Sequence, residues 1–257
     1  MSVRVDGLTA GYGNSPVLHE VAADLAAGRS CALIGRNGSG KTTLMRCING
    51  ILKPTKGTIT VSGREIRSMK RDEIARLISL VPQGNYSPFQ FSCLEIILMG
   101  GAARIKPWSA PCAGERLQAL EICREVGIVE LAERPFNSLS GGQKQLVMLA
   151  RALHQNAPVM LLDEPNSHLD FPNQHMMMGL MRRFVRERGV TALITLHDPN
   201  LALQYCDDVV MLREGRVVAA GPTAEILDDV HLQEVLGPGI LMERTVSGGR
   251  VVVPRNM

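Results

Sequence analysis

Features that would identify several common protein classes are missing from this sequence of 257 residues. Its six cysteines form no Cys-x-x-Cys pair and match no zinc-ligand spacing, so no structural zinc site is predicted. No apolar run approaches the roughly 20 residues that a membrane-spanning helix needs. The formal charge is only +3, and no concentrated block of basic residues is present. We therefore expect no nucleic acid as a partner.

The cysteines and the first residues bear on the cellular compartment. Cys31 and Cys47 lie in apolar segments, where a free cysteine behaves as a small core residue. The opening "MSVRVDGLTA" has no signal-peptide pattern. Together they predict a reducing, cytoplasmic environment. Any role at a membrane would then depend on a partner protein.

Strand and helix patterns alternate along most of the chain. The first 30 residues predict antiparallel strands around the turn "GYGNSP", and later strands are predicted at "SCALIG", "ISLVPQ", "VMLLDEP" and "VTALITLHD". Residues from about 84 to 150 have helical spacing instead, and a hairpin tail is predicted at about 240–257. We expect a single α/β domain over 1–257, with a mainly parallel core sheet, an N-terminal antiparallel β-subdomain and an inserted α-helical subdomain.

The segment "GRNGSGKT", Gly35 to Thr42, fits the phosphate-loop pattern in full and lies between a predicted strand and a predicted helix. Its glycines allow the backbone to curl round the β- and γ-phosphates of a nucleotide. Lys41 supplies a positive charge, and the Thr42 hydroxyl can ligate Mg²⁺. The segment predicts a P-loop NTPase but does not specify the reaction.

Two carboxylates follow the apolar strand pattern in "VMLLDEP" at 159–165. Ligands of open α/β sheets bind at the carboxyl ends of strands. We expect Asp163 to hold Mg²⁺ and Glu164 to accept a proton from an attacking water. Adjacent strand residues project to opposite sides, so a break in the strand at Pro165 is expected to bring both to the phosphate end.

Three further residues are candidates for the same site. His197 follows the strand "TALITLHD", where a γ-phosphate contact is expected, and Gln83 ends "ISLVPQ", where it could bridge water or Mg²⁺ to the helical insertion. Tyr12 lies in a turn and could stack on adenine. Taken alone, a histidine after a strand is usually structural, and Tyr12 alone is also compatible with an ordinary aromatic residue of a surface turn.

A second, incomplete phosphate site is predicted at "NSLSGGQKQL", residues 137–146. Ser140, Gly141 and Gly142 precede a helical pattern, and unpaired N–H groups at a helix N-terminus favour an anion. No Gly-Lys-Thr follows, so the segment is not a phosphate loop of the usual kind.

In this order, the motifs resemble those of the ATP-binding-cassette (ABC) ATPases, and the match covers nearly the whole chain. The resemblance implies ATP hydrolysis with ATP and Mg²⁺ as cofactors. It assigns catalysis to Glu164, His197 and Gln83, and metal contacts to Thr42, Gln83 and Asp163. The nucleotide contacts that it implies are Tyr12, Gly35, Asn37, Gly38, Ser39, Gly40, Lys41, Thr42, Thr43, Ser140, Gly141, Gly142, Gln143 and Asp170.

The resemblance also explains the incomplete site. In this family two cassettes meet head to tail, and the signature loop of one binds the γ-phosphate of ATP held by the other. A homodimer is therefore implied, in which Ser140 and Gly142 donate hydrogen bonds across the interface. Asp170, in the "SHLD" loop at 167–170, would couple the two sites.

Segments such as "PQGNYSPFQFSCLEIILMGG" and "LHDPNLAL" are similar to the cassettes of metal-chelate importers. This subgroup resemblance implies a peripheral subunit on the cytoplasmic face of the membrane, with a separate polytopic permease and a substrate-binding protein. The cargo would be a ferric siderophore, haem, cobalamin or, in some members, an oxyanion. Asn166 departs from the usual Thr, and "MGGAAR" departs from the usual Met-Gly-Arg followed by Pro-His.

Two alternatives remain open, namely the ATPase of an exporter and a soluble cassette ATPase of the cluster-assembly type. The methionine-rich segment "QHMMMGLM", 174–181, could in principle bind a soft metal. We predict that it instead forms a helix that buries some of its methionines against the sheet, because methionine fills irregular core space.

Overall fold

The computed structural model describes residues 1–13, 15–84, 89–105, 109–167, 169–246 and 248–255. His168 of the predicted "SHLD" loop lies outside the described residues. In the described part of the chain the strands are β1 (Val3–Tyr12), β2 (Ser15–Leu25), β3 (Ser30–Ile34), β4 (Lys56–Val61), β5 (Arg64–Glu65), β6 (Ile78–Val81), β7 (Val159–Leu162), β8 (Thr191–Leu196), β9 (Asp208–Arg213), β10 (Arg216–Pro222), β11 (Ile240–Arg244) and β12 (Arg250–Pro254). The α-helices there are α1 (Lys41–Ile48), α2 (Arg71–Leu77), α3 (Cys93–Leu98), α4 (Ala113–Val126), α5 (Gly141–Gln155), α6 (Phe171–Arg188), α7 (Pro199–Tyr205), α8 (Thr223–Ile226) and α9 (Asp229–Leu236).

Two sheets form the framework. An antiparallel sheet has the order β2-β1-β4-β5, and a six-stranded sheet has the order β10-β9-β3-β8-β7-β6. All neighbours in the larger sheet are parallel except β10, which pairs antiparallel with β9 at one edge. The predicted mainly parallel core sheet and the N-terminal antiparallel subdomain are both confirmed.

The central strands are buried on both faces, which is why their sequences are almost continuously apolar. Every residue of β3 and of β8 is buried. Along β3, Ala32 and Ile34 pack into one hydrophobic cluster, whereas Cys31 and Leu33 pack into the other. This alternation follows from the two-residue period of a strand, and it joins the two halves of the core through the sheet.

The helical insertion packs on one face of this sheet. Helices α3, α4 and α5 contact one another, and buried residues of all three belong to the same cluster as Ala32 and Ile34 of β3. Helix α4 ends at Gly127, which adopts a left-handed conformation with a φ of 81°. Helix α5 continues to Gln155 and leads into β7. The predicted inserted helical subdomain is thus present.

The methionine-rich segment forms the middle of α6. Met177, Met178 and Met181 are buried, and Met176 remains exposed, as the packing interpretation predicts. Within the described residues, no group of three or more His, Cys, Asp or Glu side chains could hold a metal ion. The core role of Cys31 and Cys47 is also confirmed, since both are buried.

Several elements were not predicted from the sequence. Among them are α2, the edge strand β10 and the helices α8 and α9. The tail folds as the antiparallel hairpin of β11 and β12. No helix in the part of the chain that the structure describes combines the length and the apolar character needed to cross a bilayer.

Candidate nucleotide site

The phosphate loop connects the end of β3 to the first residue of α1, as the sequence predicts. Gly40 has a φ of 106°, and a Cβ at this position would lie 2.7 Å from Cδ2 of Leu18. A Cβ at Gly35 would lie 2.3 Å from the carbonyl oxygen of Leu212. Larger residues are excluded at both positions because the loop passes so close to neighbouring strands.

The N-terminus of α1 is open to an anion. No side chain caps it, and its first turn contains no acidic residue. The first N–H groups of the helix therefore have no side-chain acceptor, and the helix dipole places partial positive charge there. In the same loop, the buried Ser39 hydroxyl has no hydrogen-bond partner among the described residues. This is the kind of cradle that a phosphate group requires.

Lys41 is the buried cation of the site, with 6% of its surface exposed. Its Nζ donates hydrogen bonds to the carbonyl oxygens of Gly35 at 2.8 Å and Arg36 at 3.2 Å, so its charge lies over the loop. Burial lowers the pKa of Lys41, while the negative charges of Glu164 and Asp163 act in the opposite direction. The two predicted carboxylates therefore lie within electrostatic reach of the predicted phosphate-binding lysine.

The order of the strands explains how residues distant in sequence meet. Ile34, the last residue of β3, pairs with Leu196 of β8, and Leu162 of β7 pairs with both Ile194 of β8 and Val81 of β6. All four strands are parallel, so their carboxyl ends lie at the same edge of the sheet. The residues that follow these strands are therefore neighbours, as expected for a ligand site of an open α/β sheet.

Gln83, Glu164 and His197 form a hydrogen-bonded group at this edge. Gln83 Nε2 donates to Glu164 Oε2 at 2.6 Å, and His197 Nε2 lies 2.6 Å from Glu164 Oε1. The glutamate is partly buried, whereas the histidine is exposed. Both carboxylate oxygens are thus held in place, which fixes the direction in which the carboxylate can accept a proton.

The backbone separates the roles of the two adjacent carboxylates. Strand β7 ends at Leu162, earlier than the break that the sequence predicts at Pro165. The change of direction occurs at Glu164, which has a φ of 49° in the left-handed region. Thr195 holds this arrangement, because its hydroxyl lies 3.0 Å from Asp163 Oδ1 and 2.6 Å from the Glu164 amide nitrogen. Thr195 gave no recognisable signal in the sequence.

The residues near the phosphate loop can hold magnesium. Thr42 and Asp163 supply a hydroxyl and a carboxylate oxygen. The side-chain nitrogen of Gln83 donates a hydrogen bond to Glu164, so the side-chain carbonyl oxygen of Gln83 is available as a metal ligand. Hard oxygen donors of this kind suit Mg²⁺, which usually binds one or two carboxylates together with the phosphates of a substrate. The donor set therefore fits the cofactor pair of ATP and Mg²⁺.

The predicted adenine-stacking residue is also accessible. Tyr12 is 46% exposed at the end of β1, so about half of its surface is open to solvent. Arg46 Nη1 donates a hydrogen bond to the Tyr12 hydroxyl at 2.8 Å. Because Arg46 belongs to α1, this bond joins the tyrosine to the helix that begins at Lys41. The sequence reasoning did not identify Arg46.

The predicted signature lies at the exposed start of α5. Ser140 Oγ accepts a hydrogen bond from the Gln143 amide at 3.3 Å, and Gln143 Oε1 accepts one from the Ser140 amide at 3.1 Å. This reciprocal cap satisfies the N–H groups of Ser140 and Gln143, and the N–H groups of Gly141 and Gly142 between them have no side-chain cap among the described residues. In the described residues, no hydrogen bond or ion pair joins the signature to the phosphate loop.

Asp170 has a structural contact in addition to its predicted coupling role. Its Oδ1 accepts a hydrogen bond from the Asn173 amide at 3.0 Å and caps α6. The preceding Leu169 lies against the signature, because a Cβ at Gly142 would be 3.1 Å from Leu169 Cδ2. The loop before α6 and the signature therefore form one continuous surface.

Comparisons with known proteins agree with this geometry. The family model described as "ABC transporter" matches residues 18–167. The hemin import ATP-binding protein HmuV of Rhodococcus jostii is 36% identical over 99% of this chain and 87% of its own length. A transporter assigned to the metal-chelate type, solved in an inward-facing conformation, has a TM-score of 0.88 at 29% identity and matches 99% of this chain and 98% of its own.

One further structure bears on the reaction and the assembly. The cassette MJ0796, solved as a dimer in a post-hydrolysis state bound to ADP and Pi, has a TM-score of 0.76 at 28% identity. The match covers 86% of this chain and 98% of that cassette. The predicted fold and the resemblance to metal-chelate import cassettes are both confirmed. This chain belongs to the ABC transporter family and is one of its ATP-binding, ATP-hydrolysing cassettes.

Proposed function

We propose that this chain powers the uptake of a metal chelate, such as a ferric siderophore, haem or cobalamin, through a separate membrane permease. The Glu164 group carries the ATPase part of this proposal, because a carboxylate held by Gln83 and His197 lies close to the phosphate-binding Lys41. Similarity to the hemin import protein and to the metal-chelate type transporter supports the importer and its class of cargo.

In this proposal the phosphate loop, with Lys41 and Thr43, holds the β- and γ-phosphates, and Tyr12 stacks on the adenine. Thr42, Asp163 and Gln83 hold Mg²⁺, which would neutralise charge on the phosphate oxygens. Glu164 accepts the proton of the attacking water. Gln83 and His197 keep its carboxylate in one orientation, which a general base needs in order to reach the proton that it removes.

We further propose a homodimer with ATP between the phosphate loop of one copy and the signature of the other. Two observations support it. The outward-facing start of α5 has no partner from the phosphate loop of its own chain among the described residues, and a similar cassette was solved as a dimer. Leu169 contacts the signature at Gly142 and is followed by Asp170. A partner chain docked on the signature can therefore also contact the loop before α6, which would couple the two ATP sites.

The surface for the permease is proposed on the helical insertion. A groove of about 730 Å³ is lined by apolar residues including Phe91, Leu98 and Met99, with Glu95 and Arg116 among its polar residues. Phe89, at 64% exposure, stacks edge-on against Phe91. A short amphipathic segment of a membrane protein fits such a groove. Gln83 is hydrogen-bonded to Glu164 and lies a few residues before the groove in the chain. A movement of Gln83 on ATP binding or hydrolysis would therefore be transmitted to the surface that contacts the permease.

Transport coupling provides the test. Phe91→Ala should reduce uptake of the metal chelate by cells while the purified cassette retains its basal ATPase rate, because the groove does not touch the nucleotide. Leu117→Ala is the matched control, since Leu117 is an exposed apolar residue of α4 that does not line the groove. Equal loss of uptake and basal ATPase by Phe91→Ala would indicate a folding defect, and unimpaired uptake by this variant would contradict the docking role.

Co-purification separates this function from the remaining alternatives. A tagged chain extracted from solubilised membranes should retain a polytopic permease, and deletion of the gene should prevent growth on a metal chelate as the sole iron or cobalt source. A stable complex with soluble scaffold proteins would favour the cluster-assembly alternative. Unimpaired chelate uptake in the deletion strain, with accumulation of another compound inside the cell, would favour an exporter.

A further inference from the structure

A cavity of about 390 Å³ lies between the end of α1, strand β4 and helix α2. Its volume is within the range of about 300–1,000 Å³ that is typical of small-ligand sites. None of the described residues that line it belongs to the phosphate loop, the Glu164 group or the signature. The cavity is therefore distinct from the nucleotide site and from the insertion groove.

The interior of this cavity is apolar. Ile59, Ile66 and Ile74 line it and are buried, and Leu52 and Met69 add partly buried apolar surface. Such a lining binds hydrocarbon by removing it from water.

The Cys47 thiol also lines the cavity, and a charged thiolate there would make the interior polar. Burial raises the pKa of Cys47 to about 11, so the thiol is neutral at physiological pH. A neutral buried cysteine behaves as a small hydrophobic residue. The cavity wall contributed by α1 is therefore apolar as well.

The rim has the opposite character. Lys53, Arg67, Lys70 and Arg71 surround the opening and are exposed, and Glu65 is the one carboxylate among the lining residues described. In the described part of the chain, none of the four basic side chains takes part in an ion pair. Four positive charges against one lining carboxylate leave the rim with a net positive charge, although Lys70 also interacts with the nearby Glu73. A net positive rim favours an anion at the mouth of an apolar cavity.

From these two features we propose that the cavity binds a small amphipathic anion. The apolar chain of the ligand lies among the isoleucines, and its carboxylate or phosphate group lies at the basic rim. Both features are needed to select amphipathic anions. The apolar interior discriminates against simple inorganic anions, and the basic rim discriminates against amphipathic cations. This site is separate from the proposed transport function and does not depend on it.

Isothermal titration with straight-chain carboxylates tests the proposal on the full-length protein. Hexanoate, octanoate and decanoate are used below the concentrations at which they aggregate. Affinity should rise by about fourfold for each added methylene, because each buried methylene contributes about 0.8 kcal/mol. Decyltrimethylammonium, whose alkyl chain is one carbon longer than that of decanoate but whose head group is positive, should show no saturable binding.

Variants identify the site. Lys53→Glu with Arg67→Glu should weaken decanoate binding by about tenfold, as expected for reversing two exposed charges. Arg124→Glu with Arg186→Glu is the matched control, because these two arginines are exposed and do not line the cavity. Met69→Trp should abolish the dependence on chain length by filling the cavity, with an unchanged melting temperature to show that the variant is folded.

The possible results discriminate clearly. Affinity that is independent of chain length in the wild type, or equal effects of the two double variants, would overturn the proposal. Binding to vesicles that contain anionic lipid, without binding of soluble decanoate, would assign the basic rim to a membrane surface and also overturn it. Neither rim variant should change basal ATP hydrolysis, so failure here is distinguishable from failure of the ATPase assignment.

Discussion

Replacing Glu164 by Gln removes the proposed general base with little change in shape. In the wild type the carboxylate accepts from Gln83 Nε2 at 2.6 Å and contacts His197 Nε2 at 2.6 Å. A glutamine oxygen at position 164 can still accept from His197. Its amide nitrogen can donate to Gln83 once the Gln83 amide rotates by half a turn. Both hydrogen bonds therefore survive, and what is lost is the negative charge and the basicity.

The size of the effect follows from that loss. General-base catalysis typically contributes about 10²–10⁴-fold to a rate. This range corresponds to about 3–5 kcal/mol of transition-state stabilisation. ATP affinity should change little, because Lys41 and Asp163 remain. The variant should therefore accumulate as an ATP-bound dimer.

Single-turnover hydrolysis and direct ATP titration measure the two effects separately, and light scattering after size exclusion measures dimerisation. Asp163→Asn is the informative comparison, because it should lower Mg²⁺-dependent nucleotide affinity as well as the rate. If Glu164→Gln hydrolyses ATP at close to the wild-type rate, the base is another residue. His197 is then the first candidate, because its imidazole is the other basic side chain of the group that holds Glu164.

Three further variants test the site. Lys41→Ala should weaken ATP binding by about tenfold to a hundredfold or more in a direct titration, because charged hydrogen bonds contribute about 1.5–3 kcal/mol each; retained tight binding would refute the phosphate assignment. Ser140→Arg should leave ATP binding by the monomer intact but block ATP-driven dimerisation seen by light scattering, and undiminished dimerisation would contradict a site shared between two chains. Arg46→Ala should raise the KM for ATP about two- to tenfold at constant kcat, because it frees Tyr12 from a hydrogen bond that contributes about 0.5–1.5 kcal/mol; Tyr12→Phe should have the same effect, and an unchanged KM in both would show that the bond does not position the ring.

The local motifs were predictable because each is contained in a short stretch of chain. A strand, a glycine-rich loop and a helix follow one another at Gly35 to Thr42, so the sequence alone determines the phosphate loop. The continuous apolar runs of β3 and β8 likewise predict strands buried on both faces. The burial of Met177 and Met178 follows from their positions within a single helix.

Other local features gave too weak a signal. Strand β10 and helices α2 and α9 are short or mixed in polarity, so their stability depends on the surfaces against which they pack. The early end of β7 and the left-handed backbone at Glu164 depend on Thr195, a residue of another strand. No periodicity in the neighbourhood of Glu164 carries that information.

The sequence by itself determined which polar residues follow the strands, namely Gln83, Asp163 and His197 with their neighbours. Only the tertiary structure decided that these ends meet, because the order β3-β8-β7-β6 differs from the order along the chain. The cavity beside α1 arises in the same way, since its walls come from two helices and a strand of the other sheet. Hydrogen bonding between parallel strands and the packing of nonlocal surfaces fix such neighbours, and neither is encoded in the spacing of residues along one segment.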